Sequence, residues 1–236
     1  MGSASPIQKC SNCCGQERYA FCKVSDRLIE RLRKISSTAA YRKKERLFVE
    51  GQEARGVFVL CTGGVKLSSS SRLGKNIITR ICNPGDVIGL NAVVSGLPYT
   101  VTAETMVASQ VKFLPRSLFL SLMNEDEELT LVVAEQLSIS YYRVHDAVRV
   151  IGLAIHPVER LASFLLSWVS DRTDANLESG TMSASLTHQE IADAIGSTRQ
   201  TVTKLFSEFR KQQLLQSEGA SLAILNRTEL EKIAQF

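Results

Sequence analysis

The chain has 236 residues, of which 44% are hydrophobic and 22% charged, and its formal net charge at pH 7 is +4. These totals are typical of a globular protein with one large domain or two ordinary ones, and they exclude a low-complexity or strongly charged chain. No run of about 18 apolar residues is present, which excludes a membrane-spanning helix. Because the first residues also lack the apolar core of a signal peptide, we expect a cytoplasmic protein whose thiols are reduced.

Residues 1–25 form a cysteine-rich segment that we expect to bind a soft metal. Four of the six cysteines of the chain fall within 13 residues, in the stretch CSNCCGQERYAFC. Thiolates select zinc or iron–sulfur clusters, so four of them in a reducing compartment indicate a metal or cluster site. A zinc ion and a redox-active or vestigial cysteine arm are the alternatives. The four candidate ligands are Cys10, Cys13, Cys14 and Cys22.

Residues 26–125 are predicted to form a β-rich domain that begins with a short helix. Apolar residues at helical spacing predict that helix over residues 26–35. From about Arg46 to Pro115, short runs of Val, Ile and Phe alternate with turn residues, which predicts a small antiparallel sandwich or barrel. The sequence NPGD at residues 83–86 predicts a turn on composition alone.

Residues 126–156 are predicted to form one long helix that supplies a dimer interface. Uncharged residues recur there at alternating spacings of four and three, the period of a coiled-coil seam. A seam of this kind favours a partner helix alongside, and a twofold homodimer is the usual way to supply one. The alternative is a helix that packs on its own domain. The seam consists of Val133, Leu137, Ser140, Val144, Ala147, Ile151 and Ala154.

Residues 157–236 are predicted to form a second domain. A helix is expected to begin at Pro157, because proline suits the first helical position after the break at His156. After a polar loop, the stretch LTHQEIADAIGSTRQTVTKLFSEF contains two short apolar helix patterns separated by a glycine. The segment LLQSEGASLAILN then predicts two short strands around a glycine turn, which would form a wing.

The two short helices have clear local boundaries. Thr187 and Glu190 are spaced as a capping box, which predicts that the first helix starts at His188. Gly196 permits a sharp turn between the helices, and Thr198 is a suitable N-cap for the second one. The second helix has an apolar face that is predicted to pack into the domain core, and this face consists of Val202, Leu205, Phe206 and Phe209.

The opposite face of the second helix carries side chains that can read DNA. Arginine can make a bidentate contact with guanine, glutamine with adenine, and lysine with guanine or a phosphate, while the positive end of the helix suits phosphate. The domain has eight basic and ten acidic residues, so this prediction rests on placement and not on bulk charge. A small helical subdomain with a solvated polar face is the alternative. The predicted DNA-binding residues are His188, Thr198, Arg199, Gln200, Thr203 and Lys204.

The order of these parts, together with the string LTHQEIADAIGSTRQTVTKLF, resembles the Crp/Fnr family of bacterial transcription regulators over essentially the whole chain. The string PGDVIG is similar to the family's β-roll turn. The resemblance implies an α+β chain with an N-terminal antiparallel, jelly-roll-like β-roll, a long dimerisation helix and a C-terminal winged helix-turn-helix. It also implies a homodimer whose recognition helices enter successive major grooves of a roughly palindromic double-stranded DNA site, with RNA polymerase as a further partner.

Two features bear on what such a protein reads and does. Many family members carry glutamate where Gln200 stands, so the half-site sequence is expected to differ from theirs. The chain also lacks a Ser-His-Asp constellation, a Walker loop and a paired-carboxylate motif, so we do not expect an enzyme. The remaining alternative is a metal-binding protein in which the helix pair has only a structural role and does not bind DNA.

The resemblance to founding members of the family does not extend to their ligand site. Those members bind a cyclic nucleotide in the β-roll with a glutamate just after the PGDxxG glycine and an arginine further along. Here Leu90 follows Gly89, and no lysine or arginine lies between Arg80 and Lys112. A buried phosphate without a cationic partner is costly, so we expect no cyclic nucleotide of the usual type.

The cysteine-rich segment resembles instead that of the oxygen-sensing, Fnr-type branch, which holds a four-iron cluster just before the β-roll and adds a distant cysteine near its end. Lys112 lies near the place of that distant cysteine. The resemblance implies an iron–sulfur cluster, 4Fe–4S, that responds to oxygen, nitric oxide or redox state, with zinc or no metal as alternatives. Cys14 could supply the fourth thiolate, as could Cys61 or Cys82, although their apolar strand patterns favour burial as small hydrophobes.

Overall fold

The computed structural model describes residue 21 and residues 24–71, 76–153, 156–170, 181–182, 186–218 and 221–234. The predicted metal ligands Cys10, Cys13, Cys14 and Cys22 lie outside the described residues, as does Ala154 of the predicted dimer seam.

The first described helix, α1 (Asp26–Ile35), covers the residues predicted for it. Ser25 caps the helix, because its side-chain oxygen accepts a hydrogen bond from the backbone N–H of Leu28 at 3.3 Å. A helix start leaves such amide groups without partners inside the helix. Leu28 and Leu32 are buried against the β-rich domain, which the amphipathic pattern predicts.

Eight strands and one short helix follow α1. In chain order they are β1 (Ser37–Tyr41), β2 (Arg46–Phe48), β3 (Gly56–Thr62), β4 (Val65–Ser70), β5 (Asn76–Cys82), β6 (Val87–Ile88), α2 (Leu90–Ser95), β7 (Thr102–Thr105) and β8 (Ser109–Pro115). The strands form two four-stranded antiparallel sheets with the orders β1-β8-β3-β6 and β2-β7-β4-β5. The predicted antiparallel sandwich is therefore confirmed.

The interior of the sandwich is apolar, and both cysteines that the sequence places in strands are buried. Leu60, Val65 and Cys82 are fully buried, and Cys61 is 6% exposed. The turn predicted at residues 83–86 is present between β5 and β6, with the backbone N–H of Asp86 donating to the carbonyl of Asn83 at 3.0 Å. The predicted burial of both cysteines is therefore confirmed.

The sequence prediction misses the first strand of the domain. It starts the β-rich region at Arg46, whereas β1 begins at Ser37 and pairs with β8 over Ser37–Tyr41. Four of the five β1 residues are exposed, so the strand has no alternation of buried and exposed side chains. It is held by backbone pairing with a distant part of the chain, from Ser37 with Phe113 to Tyr41 with Ser109.

Two helices connect the domains. They are α3 (Arg116–Glu125) and the 27-residue α4 (Glu127–Leu153). Asp126 separates them and is 2% exposed; its carboxylate accepts hydrogen bonds from the side chains of Arg27 and Arg31 on α1. The single long helix predicted over 126–156 is confirmed for Glu127–Leu153, whereas Asp126 and His156 are not helical. No helix among the described ranges combines the length and apolar character that crossing a membrane requires.

The C-terminal domain has its own apolar core. Its elements are α5 (Pro157–Ser170), β9 (Thr181–Met182), α6 (His188–Ile195), α7 (Arg199–Lys211), β10 (Leu215–Glu218), β11 (Ser221–Ile224) and α8 (Arg227–Ala234). The core includes Leu161, Leu165 and Trp168 of α5 together with the apolar faces of α6 and α7. The predicted start of α5 at Pro157 is confirmed.

Two elements of this domain go beyond the sequence prediction. The sequence predicts the two wing strands β10 and β11, which are confirmed, but β9 lies in the predicted polar loop and pairs with β11 to make a third strand. Helix α8 was not predicted. Leu230 on α8 is fully buried and joins the domain core, so this helix closes the side of the core next to α5.

Candidate nucleic-acid interface

Local capping interactions fix the start of the helix pair. The side-chain oxygen of Thr187 accepts a hydrogen bond from the backbone N–H of Glu190 at 3.2 Å, and the Glu190 carboxylate accepts one from the backbone N–H of Thr187 at 3.0 Å. Gly196 ends α6 with φ at +64°, in the left-handed region that favours glycine. The predicted capping box, helix start and turn are confirmed.

Helix α7 divides into a buried face and an exposed face. Thr198 caps it by accepting a hydrogen bond from the backbone N–H of Thr201 at 3.2 Å. The four predicted core residues of α7 are buried, with exposures between 0% and 8%. All four predicted base-reading residues of the first two turns are exposed to solvent, namely Arg199, Gln200, Thr203 and Lys204. The apolar face therefore holds the helix in the domain and leaves the polar face open.

His188 of α6 belongs to the same surface. Its Nδ1 lies 2.8 Å from the hydroxyl of Thr203, and its ring stacks on Phe206 at a centroid distance of 5.0 Å. The Thr203 hydroxyl also donates to the Arg199 carbonyl at 2.9 Å. A hydroxyl has one proton to donate, so it accepts from His188 in this arrangement. His188 therefore fixes the orientation of a predicted base-reading side chain.

The charge state of His188 follows from its surroundings. Partial burial lowers the pKa of the imidazole below its ordinary value, and the nearby positive charges of Arg210 and Arg199 lower it further. The ring is therefore neutral at neutral pH when no anion is present. A phosphate placed beside it would reverse the effect of the two arginines.

The last described residues before α1 connect the cysteine-rich segment to the helices that follow the sandwich. Phe21 is 7% exposed, and its ring centroid lies 6.3 Å from that of Phe119 on α3. The backbone N–H and the hydroxyl of Ser25 donate to the two carboxylate oxygens of Glu128, each at 2.6 Å. The sequence analysis did not predict this contact between Ser25 and Glu128. The only local sign of it is the acidic first turn of the long helix, which contains Glu127 and Glu128.

No predicted metal ligand falls within the described residues, and these contain no group of three or more His, Cys, Asp or Glu that could hold a metal ion. Cys61 and Cys82, the alternative sources of a fourth thiolate, are both buried, and Cys82 belongs to the sandwich core. Their positions suit the packing role of a small hydrophobe.

The predicted dimer seam divides along α4. Val133 is 2% exposed and Leu137 is partly buried against the sandwich core, so Val133 packs inside its own subunit and offers no surface to a partner. Further along, Val144 is 63% exposed, Ser140 is half-buried and Ala147 is exposed. The side chain of Ile151 lies outside the described residues.

Sequence reasoning missed two members of the exposed apolar face of α4. Tyr141 and Val148 are each 63% exposed, and they lie three and four residues from Val144, on the same side of the helix. The exposed stripe therefore runs through Tyr141, Val144 and Val148. It shares Val144 with the predicted seam, but has Tyr141 and Val148 in place of the neighbouring Ser140 and Ala147.

The place where founding family members bind a cyclic nucleotide has a different character here. Gly89 has φ at +82° and precedes α2, whose first residue Leu90 is 6% exposed and belongs to the sandwich core. Arg80, the nearest arginine before it in sequence, forms a salt bridge with Asp86. The side chain of Leu90 is therefore part of the apolar core of the sandwich.

Comparisons with known proteins agree with both domains. Residues 38–126 match the family model of a cyclic nucleotide-binding domain, and residues 159–233 match that of a Crp-like helix-turn-helix domain. The fumarate and nitrate reduction regulatory protein of Vibrio cholerae is 24% identical over 209 residues, covering 89% of this chain and 80% of that protein. The global nitrogen regulator of Synechococcus elongatus is 29% identical over 198 residues, covering 81% and 87%.

A solved structure has the same architecture. FixK2 from Bradyrhizobium japonicum superposes with a TM-score of 0.76 at 25% identity, covering 84% of this chain and 97% of that one. An exposed recognition helix with a wing, attached to a β-sandwich by a long helix, defines a DNA-binding transcription regulator and not an enzyme. The chain belongs to the Crp/Fnr family of transcription regulators.

Proposed function

We propose that this regulator acts as a homodimer that reads a nearly palindromic operator with α7 and whose DNA binding is controlled by an iron–sulfur cluster on its N-terminal cysteines. The observation that carries the DNA part is the division of α7 into a buried apolar face and an exposed face of hydrogen-bond donors. The cluster part rests on the thiol content of residues 1–25 and on the junction at Ser25.

Base reading is assigned to the first two turns of α7. Arg199 and Gln200 have the chemistry for bidentate contacts with guanine and adenine, and Lys204 can reach guanine or a phosphate. Thr198 and His188 lie beside the positive end of the helix, where a phosphate is favoured.

An operator selected from a randomised palindromic DNA pool tests this assignment. Arg199→Ala should relax the preference at one base pair of each half-site, while Lys204→Ala should reduce the salt dependence of log K by about one unit if it contacts a phosphate. Lys34→Ala on α1, outside the C-terminal domain, also removes one exposed positive charge; it is the matched control and should leave binding unchanged. Unaltered affinity and specificity of Arg199→Ala and Lys204→Ala, with folding retained, would remove α7 from the interface.

The exposed stripe of α4 is proposed to bind a second copy of the chain. The apolar side chains of Tyr141, Val144 and Val148 are uncharged and lie on one side of the helix, so two copies can pair without opposing charges. A twofold pair places two recognition helices about 34 Å apart, one turn of DNA. Sedimentation at micromolar concentration should therefore show a dimer.

The donor set of residues 1–25 fits an iron–sulfur cluster. Four thiolates match the ligand number of a 4Fe–4S cluster, and Cys10, Cys13, Cys14 and Cys22 would hold it; when bound it would supply redox and gas-reactive chemistry. Adjacent Cys13 and Cys14 suit a cluster with several irons better than one zinc ion. The described residues supply the connection onward, since Ser25 binds Glu128 at the start of α4.

Anaerobic purification tests the cluster directly. Brown protein with broad absorbance near about 400 nm, containing iron and sulfide, is the expected result, with loss of colour in air. Colourless protein without iron or sulfide would refute the cluster and leave DNA binding untouched, and stoichiometric zinc would support the zinc alternative instead.

We also propose that the sandwich does not take a cyclic nucleotide of the usual type, because buried Leu90 stands where the founding members carry a glutamate. Calorimetric titration with cyclic AMP and cyclic GMP should show no binding at millimolar concentration, and Lys112 is not expected to substitute for the missing arginine. Contact with RNA polymerase is proposed from the family resemblance and is testable by co-sedimentation on the selected operator.

A further inference from the structure

The DNA-binding domain lies directly against the β-sandwich. Ile81 on β5 packs against the apolar core of the C-terminal domain. Lys66 on β4 is the strand partner of Ile81. Ile81 and Lys66 therefore both face the C-terminal domain. Ile81 makes an apolar contact with it, and Lys66 makes a charged contact with α6.

Lys66 forms an ion triad with one carboxylate from each domain. Its Nζ lies 3.0 Å from Oε1 of Glu190 on α6 and 3.2 Å from Oε1 of Glu104 on β7. The three side chains are 20–21% exposed. Charges so far removed from water interact more strongly than a surface pair.

Lys66 and Glu190 each favour the ionised form of the other. Burial alone would lower the pKa of Lys66, but hydrogen bonds and charge from Glu190 and Glu104 outweigh it, and the pKa of the lysine is raised. Burial would likewise raise the pKa of Glu190, and hydrogen bonds from Thr187 and Lys66 outweigh it, so that pKa is lowered. The ion pair of Lys66 and Glu190 therefore persists across the neutral pH range.

Glu190 links the triad to the recognition helix. One carboxylate oxygen accepts from Lys66, and the other accepts from the backbone N–H and hydroxyl of Thr187 in the capping box. Two residues before it, His188 is hydrogen-bonded to Thr203 on α7. Lys66 thus holds the first turn of α6, which in turn contacts the base-reading surface.

We propose that Lys66 is a positioning residue for DNA binding, whose ion triad with Glu104 and Glu190 sets the orientation of the helix-turn-helix relative to the sensor domain. The inference rests on DNA binding through α7. In the described arrangement the base-reading residues are exposed, so the contact is compatible with a bound operator. Because a dimer must place two recognition helices at a fixed spacing, a loosened domain binds a full operator less well while its intrinsic half-site contact is unchanged.

The test uses the full-length dimer and the operator selected with unmodified protein. Lys66→Met should weaken binding to the full operator about tenfold and leave the weak binding to a single half-site unchanged. Discrimination against operators with one inserted base pair should also fall. Lys66→Arg, which keeps the charge and can reach both carboxylates, should restore wild-type behaviour.

Glu190→Gln removes the charge and keeps the capping box, because glutamine is accepted at that position. The double variant Lys66→Met with Glu190→Gln should bind no more weakly than the worse single variant, which shows that the two side chains act as a pair. Lys34→Met on α1 is the control for the change in net charge, since Lys34 is 73% exposed and its salt bridge among the described residues is with Glu30 of the same helix.

Three results would overturn the proposal. Wild-type operator affinity in Lys66→Met, or strictly multiplicative effects in the double variant, would show that the triad does not orient the domain. A salt dependence of log K reduced by about one in Lys66→Met would mean that Lys66 contacts a phosphate instead. Failure of unmodified protein to bind any selected DNA would refute the DNA-binding function itself and is distinguishable from all three.

Discussion

Replacing Phe206 by alanine separates the two faces of α7 most clearly. Phe206 is 4% exposed, and its ring stacks on His188 within the C-terminal core. Burying an aromatic side chain removes about 150–250 Å² from water, which at about 25 cal/mol per Å² corresponds to about 4–6 kcal/mol. Alanine keeps only a small part of that area. We therefore expect Phe206→Ala to lower the free energy of unfolding of the DNA-binding domain by about 3–5 kcal/mol.

The assay for this prediction is urea unfolding followed by tryptophan fluorescence. The chain has a single tryptophan, and Trp168 is 5% exposed in the same apolar core, so its emission reports this domain. Arg199→Ala is the matched comparison on the exposed face. It should change the free energy of unfolding by less than about 0.5 kcal/mol while weakening operator binding by about 5- to 150-fold.

The reasoning would be refuted if the two variants exchanged behaviour. An unfolding midpoint for Phe206→Ala within error of the wild type would show that this side chain does not anchor the helix. A loss above about 2 kcal/mol for Arg199→Ala would show that the polar face carries structural contacts, and its effect on DNA would then have another cause.

Three further predictions concern His188, the exposed stripe of α4 and the contact between Ser25 and Glu128. A phosphate beside His188 would raise its lowered pKa, so DNA binding should take up a proton and affinity should rise as the pH is lowered from neutral. An equal pH dependence in His188→Gln would contradict this. Val144→Glu should place two like charges opposite each other in the dimer and shift sedimentation towards monomer, whereas an unchanged dimer would place the interface elsewhere. Glu128→Gln replaces the carboxylate that accepts both hydrogen bonds from Ser25 by a weaker acceptor. The difference in operator affinity between anaerobic and air-exposed protein should therefore shrink several-fold. An unchanged difference would show that the cysteine-rich segment does not act on α4 through Ser25 and Glu128.

The boundaries of the helix pair could be predicted from the sequence because their causes are local. Thr187 and Glu190 are three residues apart, and Thr198 caps the helix that it precedes. Each contact needs only neighbouring residues, so the one-dimensional pattern contains it. The same holds for the burial of Phe206 and Phe209, which follows from helical spacing.

Contacts between distant residues could not be predicted in this way. Strand β1 exists through pairing with β8, and its own side chains are mostly exposed. Lys66 and Glu190 are separated by 124 positions, and nothing near either residue indicates the other. The prediction that Val133 lies in the dimer interface was wrong for a related reason. Heptad spacing is the same whether a helix packs on its own domain or on a partner.

Photocrosslinking of the selected operator tests the central claim, that α7 reads the DNA, most directly. With 5-iodouracil placed at each position of one half-site, mass spectrometry of the crosslinked peptides should place the protein attachment within residues 199–204. Crosslinks confined to the sandwich or to α4, with none on α7 at any position, would contradict the account.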